Sequence, residues 1–331
     1  MRRAGRVVLS AVLLLALLGG CAEEQPQLLA PISETRLMLN TYCTITVHSS
    51  QDRAVLTEAF DLCAEYEKLL SITEQGSDVW LINHAKGAPV TVAPQTAEII
   101  IAGLEYGELS GGMFDITIGR LSTLWDFTGE FGIPFEFDLT FARETVNYSH
   151  VMINGNTVQL MNPEAWIDLG GIAKGYIADK VADFLKERGV KSAIVDLGGN
   201  IVTVGQKPDG SPWRIGVTKP FSERNDTIGY VETGEASVVS SGIYERQFEE
   251  NGVLYHHILD PFTGMPVRTD VVGATVLSAE SMSGDALSTI ALLVGSESAL
   301  SILSEIPGLI GAVLILENGE ILVYGDVELK S

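Results

Sequence analysis

The chain has 331 residues, with 43 acidic against 21 basic side chains and a formal net charge of −22 at pH 7. A field of that sign repels polyanions, so nucleic acid is excluded as a partner, and any phosphate ligand must be held by local donors or a bridging cation. Only 3 cysteines are present, too few for a disulfide framework, so stability must come from a buried core.

Arg2, Arg3 and Arg6 precede an apolar run over residues 7–18 that closes on Leu18-Gly19-Gly20-Cys21. The run is shorter than the roughly 20 residues a spanning helix needs. Residues 1–20 therefore read as a lipoprotein signal peptide, with Cys21 diacylated as the new N-terminus. Residues 21–35, with Glu23, Glu24, Pro26 and Pro31, read as a polar tether, which leaves 36–331 as the folded domain, lipid-anchored at the extracytoplasmic face of the cell membrane. Cys43 and Cys63 then read as core thiols, with a single disulfide as the alternative.

Residues 36–49 are β-branched and partly alternating, the pattern of a strand. A helix capped by Asp52 follows, with Val55, Leu56, Ala59, Leu62, Cys63, Tyr66 and Leu69 along one face. Residues 78–84 form a short helix or turn whose His84 carries no catalytic role. Residues 96–110 have helical spacing, closed by Gly111 and Gly112. Met113-Phe114-Asp115 beyond them read equally as a turn into a strand or as a ligand loop. Residues 125–150 are aromatic with little period and suggest an insertion or a lobe-connecting segment. A hairpin turned at Asn154-Gly155 precedes a strand over 166–169.

That strand ends in Asp168-Leu169-Gly170-Gly171-Ile172-Ala173-Lys174-Gly175-Tyr176. Paired glycines before a helix, with unpaired N–H groups and a lysine in its first turn, form a phosphate-handling pattern or a tight packing turn. A second strand over 192–197 leaves through Gly198-Gly199-Asn200. Residues 240–246 read as a polar loop with Arg246 positioned for phosphate. His256 and His257 are adjacent in a strand and so face opposite ways, which leaves at most one for a site. Asp285 and Thr289 are four apart on a helix and share a face, offering a carboxylate and a hydroxyl to a hard cation, or else Asp285 is a cap. A hairpin turned at Asn318-Gly319 closes the chain. Strand runs with a few long helices predict an α+β fold, with mixed or antiparallel sheets and packed helices. Rossmann and P-loop fingerprints are absent.

In this order behind a lipobox, Gly111-Gly112-Met113-Phe114-Asp115, the Asp168–176 stretch, Ser240-Ser241-Gly242-Ile243-Tyr244-Glu245-Arg246, His257-Ile258-Leu259-Asp260-Pro261 and the Asp285/Thr289 pair resemble the FAD:protein FMN transferase family, also called ApbE-type flavin transferases. The resemblance covers nearly all of the chain from about residue 36. It implies a T-fold-related α+β domain and Mg²⁺-dependent cleavage of FAD. FMN would pass through a phosphoester to a Ser or Thr of an exported acceptor protein, with release of AMP. It further implies FAD contacts at Met113, Phe114, Asp115, Asp168, Lys174 and Ile258, and metal ligation by Asp285, Thr289 and the carbonyl of Gly171. Leu39 stands where many members have Met, and Thr73 where a tyrosine is common; both positions are flavin contacts by the same resemblance.

The chemistry suggests that Lys174 and the glycine-turn amides hold pyrophosphate oxygens while His257 accepts the acceptor hydroxyl's proton. Two other readings use the same residues: a metal-dependent FAD pyrophosphatase giving FMN and AMP, and a non-catalytic flavin-binding lipoprotein.

Overall fold

The computed structural model describes residues 30–331 apart from 128, 130 and 223–225. The residues read as signal peptide, Cys21 and most of those read as tether lie outside the described residues. Strand β1 (Ile32–Met38) begins earlier than residue 36, because its polar residues pair across to β2 (Thr41–Val47) through Ser33–Thr46 and Thr35–Thr44 hydroxyl bonds of 2.8 and 2.9 Å.

Helices α1 (Ala54–Leu70), α2 (Asp78–His84), α3 (Pro94–Leu109), α4 (Gly119–Leu124) and α5 (Glu136–Arg143) follow, with a two-residue strand β3 (Val90–Thr91) between α2 and α3. Next come the hairpin β4 (Val151–Asn154) and β5 (Thr157–Leu160), helix α6 (Ala173–Glu187), and strands β6 (Ser192–Leu197), β7 (Asn200–Gly205), β8 (Trp213–Thr218), β9 (Thr227–Thr233) and β10 (Ser237–Gly242). The chain ends through β11 (Gln247–Glu250), β12 (Val253–His256), β13 (Val271–Ser278), α7 (Ser281–Val294), α8 (Ser296–Leu303), β14 (Leu309–Leu316) and β15 (Ile321–Gly325).

Eight strands form one antiparallel sheet in the order β1-β2-β6-β7-β10-β13-β14-β15. Its two faces are both covered, which β14 shows by strict alternation. Ala312, Leu314 and Leu316 join the core under α6 and α7, while Val313 and Ile315 meet Trp213, Ile215 and Val231 of the β8–β9 ribbon. All of β13 is buried for the same reason. The α+β reading with antiparallel sheets therefore holds.

Cys43 and Cys63 are free thiols in the core, so the disulfide alternative falls. Burial pushes both up to about 12, which keeps them protonated and inert. Asp52 assists the α1 start by accepting from the Ala54 N–H at 3.0 Å. Gly111 and Gly112 adopt φ of 63° and 86° and end α3, the Gly112 N–H reaching back to the Gly107 carbonyl at 2.8 Å.

Three expectations change. Residues 166–169 are not a ladder strand: Trp166 makes one parallel bridge to Ile118, and the buried Asn83 amide pairs both ways with the Ile167 backbone at 2.7 and 2.9 Å. A side chain does there what a neighbouring strand would do. Ser240, Ser241 and Gly242 are not loop but the end of β10, where Ser240 bonds Thr275 and Ser241 bonds Ser288, each at 2.8 Å. Residues 125–150 are likewise structured: α5 closes a satellite core of Leu121, Trp125, Leu139, Ala142 and Leu259.

Helix α6 crosses the start of α7 at Gly175, where an added Cβ would clash with the Ser281 carbonyl and lie 2.7 Å from the Met282 Cα. Both obstacles are backbone, so neither can move aside. Gly175→Ala is expected to cost about 3 kcal/mol of stability, measured as a lowered urea midpoint at unchanged slope.

Candidate active site

Antiparallel register brings one set of turns to one end of the large sheet. Cys43 faces Leu197 and Val239 faces Asn200, so the β1–β2 turn, the β6–β7 turn and the end of β10 converge. Leu39 and Asn40 form the two-residue β1–β2 turn, both left-handed at φ 53° and 56°. A leucine there is strained, and the turn is pinned by its neighbours. The Leu39 N–H donates to Glu67 of α1 at 2.9 Å, and the Asn40 carbonyl accepts from Arg246 at 3.4 Å.

At the centre, Asp285 is 1 % exposed on α7. One of its oxygens accepts the Gly175 N–H at 2.9 Å; the other lies 3.4 Å from the Lys174 ammonium. Lys174 also donates to the Asn200 side-chain oxygen at 3.0 Å. The glycine turn differs from its expected role here. The N–H groups of Gly170, Ile172, Ala173 and Gly175 are all taken, by Asp168 (2.8 Å), the Leu169 carbonyl (3.0 and 2.9 Å) and Asp285 (2.9 Å). The positive end of α6 therefore holds a protein carboxylate rather than offering these amides to a phosphate. Lys174 remains as the cation of the turn.

Gly171 packs against both ligand-side neighbours: a Cβ placed on it would be 2.9 Å from the Phe114 ring and 3.8 Å from the Thr289 methyl. Phe114, Gly171 and Thr289 are thus adjacent, and Asp285 stands one helical turn before Thr289. Asp285, the Thr289 hydroxyl and a backbone carbonyl are hard oxygen donors. No cluster of three or more His, Cys, Asp or Glu side chains able to hold a metal exists among the described residues. One carboxylate with neutral oxygens suits Mg²⁺ completed by substrate phosphates, not an all-protein cage.

Asp168 sits in the same turn, accepting from Ser122 at 2.6 Å, with its own N–H on the Ile116 carbonyl at 2.8 Å. The Asp115 carboxylate is turned inward: it accepts from Thr117 N–H and hydroxyl at 2.7 and 2.6 Å and from the Tyr148 N–H at 2.8 Å. Burial raises its pKa against the pull of those donors. Its side chain ties the turn after Met113–Phe114 to the Tyr148 segment, while the Phe114 N–H donates to the Ser110 hydroxyl at 2.8 Å. Met113 is half-buried beside it.

His257 follows β12 directly. Its Nδ1–H donates to the Arg246 carbonyl at 3.3 Å, an oxygen that can only accept, so Nε2 is left with its lone pair. The ring keeps partial solvent access, yet desolvation first, and then the charge of Arg246, hold its pKa well below the ordinary histidine value. Lys174 contributes to the same lowering, which places it in the field of His257. His256 faces the other way, buried with Nε2 on the Val267 carbonyl at 3.1 Å, and is structural. Ile258 is buried beside them and pairs through its carbonyl with the Val267 N–H at 2.9 Å.

Thr73 is exposed, with its N–H and hydroxyl both 3.2 Å from the Ser71 hydroxyl, and is not drawn into this group. His84 stacks on Trp80 at 4.0 Å between ring centres, away from the chemistry. Asn200 is the residue sequence reasoning passed over: it is 1 % exposed, it steadies Lys174, and its side-chain NH₂ has no partner among the described residues. Its place directly after Gly198-Gly199 was the available signal. A separate depression lined by Glu98, Lys180, Asp183, Lys186 and Glu235 shares none of these residues, and its charges pair among themselves, as in Lys186–Glu235 at 2.8 Å.

A sequence model of the ApbE family matches residues 39–314. The chain is 35% identical over 286 residues to a FAD:protein FMN transferase of Klebsiella pneumoniae, covering 85% of this chain and 88% of that one. It is 33% identical to a protein of the same name from Treponema pallidum, over 83% and 82% of the two chains. Among solved structures it resembles the ApbE protein of Thermotoga maritima, with a TM-score of 0.80, 31% identity and coverage of 89% and 97%. It also resembles the flavin transferase ApbE of Vibrio cholerae, with a TM-score of 0.79, 28% identity and coverage of 90% and 98%. The family match runs from Leu39 past Thr289 and so takes in every element of the site, and the chain belongs to the ApbE family.

Proposed function

We propose that this protein is an FAD:protein FMN transferase that attaches FMN to a Ser or Thr hydroxyl of an exported acceptor protein and releases AMP. The observation that carries the reading is the half-buried Lys174 held between the buried Asp285 and Asn200 beside Gly171 and Thr289, with a neutral histidine in the same field. Two of the sequence's alternatives, hydrolysis and simple flavin binding, become outcomes of the test below.

In this reading the acceptor oxygen bonds to the phosphorus of the FMN half as the bridging P–O bond to AMP breaks. AMP leaves with that electron pair, and the hydroxyl proton passes to Nε2 of His257. Nε2 accepts it because the Arg246 carbonyl fixes the tautomer and burial keeps the ring neutral. Lys174, steadied by Asn200, neutralises phosphate charge. Phe114, packed on Gly171, and the Met113 loop wall the flavin side. Asp285, Thr289 and the Gly171 carbonyl would hold Mg²⁺, which when bound offsets the charge of the pyrophosphate. Such neutralisation is what a chain with a net charge of −22 needs in order to take an anionic substrate.

The test is intact-mass measurement of a Thr-containing acceptor domain after incubation with the full-length protein in detergent, FAD and Mg²⁺, with AMP followed in parallel. An FMN adduct with equimolar AMP, lost on adding EDTA, is the expected result. AMP with free FMN and an unmodified acceptor would assign hydrolysis, and bound FAD without AMP a carrier.

Anchoring through a diacylated Cys21 belongs to the same proposal. No helix among the described residues is long and apolar enough to cross a membrane. Cys21→Ser is expected to move the protein from the membrane pellet to the soluble fraction of fractionated cells.

A further inference from the structure

The outer face of α5 is apolar where a surface helix should be polar. Leu139 and Ala142 point into the satellite core, while Phe137 and Phe141, four residues apart on the other side, are 81% and 48% exposed. Ile133 and Phe135 just before the helix extend the strip. Several large apolar side chains on so short a surface segment mark an interaction site.

Its position matters more than its composition. Leu139 packs in one core with Leu259, two residues past His257. A Cβ on Gly264, in the turn after Ile258, would lie 3.6 Å from the Leu139 side chain. The same turn presents Phe262, 61% exposed, whose ring would be 3.5 Å from a Cβ on Gly112, beside the Met113–Phe114 loop. Phe262 therefore stands at the rim of the site, and the aromatic strip is the outer side of a helix whose inner side packs on the segment that carries His257.

We propose that this strip is the docking surface for the acceptor protein, an inference that rests on the transferase reading above. A protein hydroxyl can reach Nε2 of His257 only if its domain covers the rim of the site. Large aromatic anchors in such a patch are the usual carriers of association energy. Charge chooses between a protein and a lipid surface as occupant. Glu136 and Asp138 interleave the aromatics and Glu144 caps the helix, with Arg143 as the one basic residue of α5, on a chain whose net charge is −22. Helices that lie on anionic lipid carry Lys and Arg on their polar face, so such a membrane would repel this one. The matching partner has an apolar patch with basic residues at its edge.

The experiment compares the full-length protein with its Phe137→Ser/Phe141→Ser variant, using two acceptors: a folded Thr-containing acceptor domain and a short peptide carrying the same Thr. Both substituted side chains are exposed, and circular dichroism checks the fold. The expected result is a rise of about tenfold in KM for the domain, with kcat, peptide transfer and FAD affinity unchanged. Unchanged kinetics on the domain, or equal losses on domain and peptide, would overturn the docking role while leaving the transferase reading intact. Absence of transfer by the parent protein to either acceptor would overturn both. In a Cys21→Ser background, loss of cosedimentation with phosphatidylglycerol vesicles alongside unchanged domain kinetics would assign the strip to the membrane instead.

Discussion

Asp285→Ala is expected to abolish FMN transfer, lowering kcat by about a thousandfold or more. The carboxylate is buried, accepts the Gly175 N–H at 2.9 Å, and balances the Lys174 ammonium at 3.4 Å. Its removal leaves the first-turn amide at Gly175 without a partner and Lys174 held by Asn200 alone. It also removes the one carboxylate of the proposed Mg²⁺ donor set. Loss of stability could mimic loss of chemistry, so Asp285→Asn separates the two. The amide oxygen still accepts from Gly175, and thermal unfolding should stay closer to the parent, yet transfer should fall as far because the charge is gone. Retention of more than about a tenth of the parent rate in Asp285→Asn would remove the carboxylate from the mechanism.

His257→Ala is expected to lower kcat by about 10² to 10⁴, with little change in FAD affinity, as for loss of a general base. Its pH behaviour is distinctive. An ordinary histidine, near 6.5, would lose half its base form at that pH, whereas burial and the Arg246 charge hold His257 neutral well below it. The sign follows directly: with the folded pKa depressed, the base form persists as pH falls through 6.5, so kcat should stay flat there and decline only at more acid pH. Folding stability has the same sense. The unfolded chain takes up a proton near 6.5 that the folded ring resists, so stability present above that pH is lost as pH falls toward the folded value. Arg246→Ala, which removes the second of the lowering influences, should move the acid limb of the kcat profile upward. An acid limb of the parent centred on 6.5 and unmoved in Arg246→Ala would sink the assignment.

Much of the site was legible because its residues lie in short local patterns. Asp285 and Thr289 share a face by helical geometry alone, and His256 and His257 part as expected, although only His256 lies in the strand and His257 follows it. The glycine turn was legible as a turn but not in its use. Four of its amides are occupied, one of them by a carboxylate that arrives from α7, more than a hundred residues later in the chain. No local pattern records such a partner. Asn200 escaped for the same reason: its meaning lies in Lys174 across the gap between β7 and α6. The strand expected at residues 166–169 failed because an Asn83 side chain, not a strand, satisfies its backbone.

The sequence by itself determined the α+β class, most helix and hairpin positions, and the family resemblance, since periodicity, turn residues and motif order are written locally along the chain. Tertiary structure alone decided which donors were already spent, that Asp115 ties its turn to the Tyr148 segment, that Arg246 sets the tautomer and depresses the pKa of His257, and that an apolar strip on α5 is left exposed. Each of these depends on groups brought together from distant segments by sheet register and helix packing, and hydrogen-bond saturation, desolvation and exposure have no value until that packing exists.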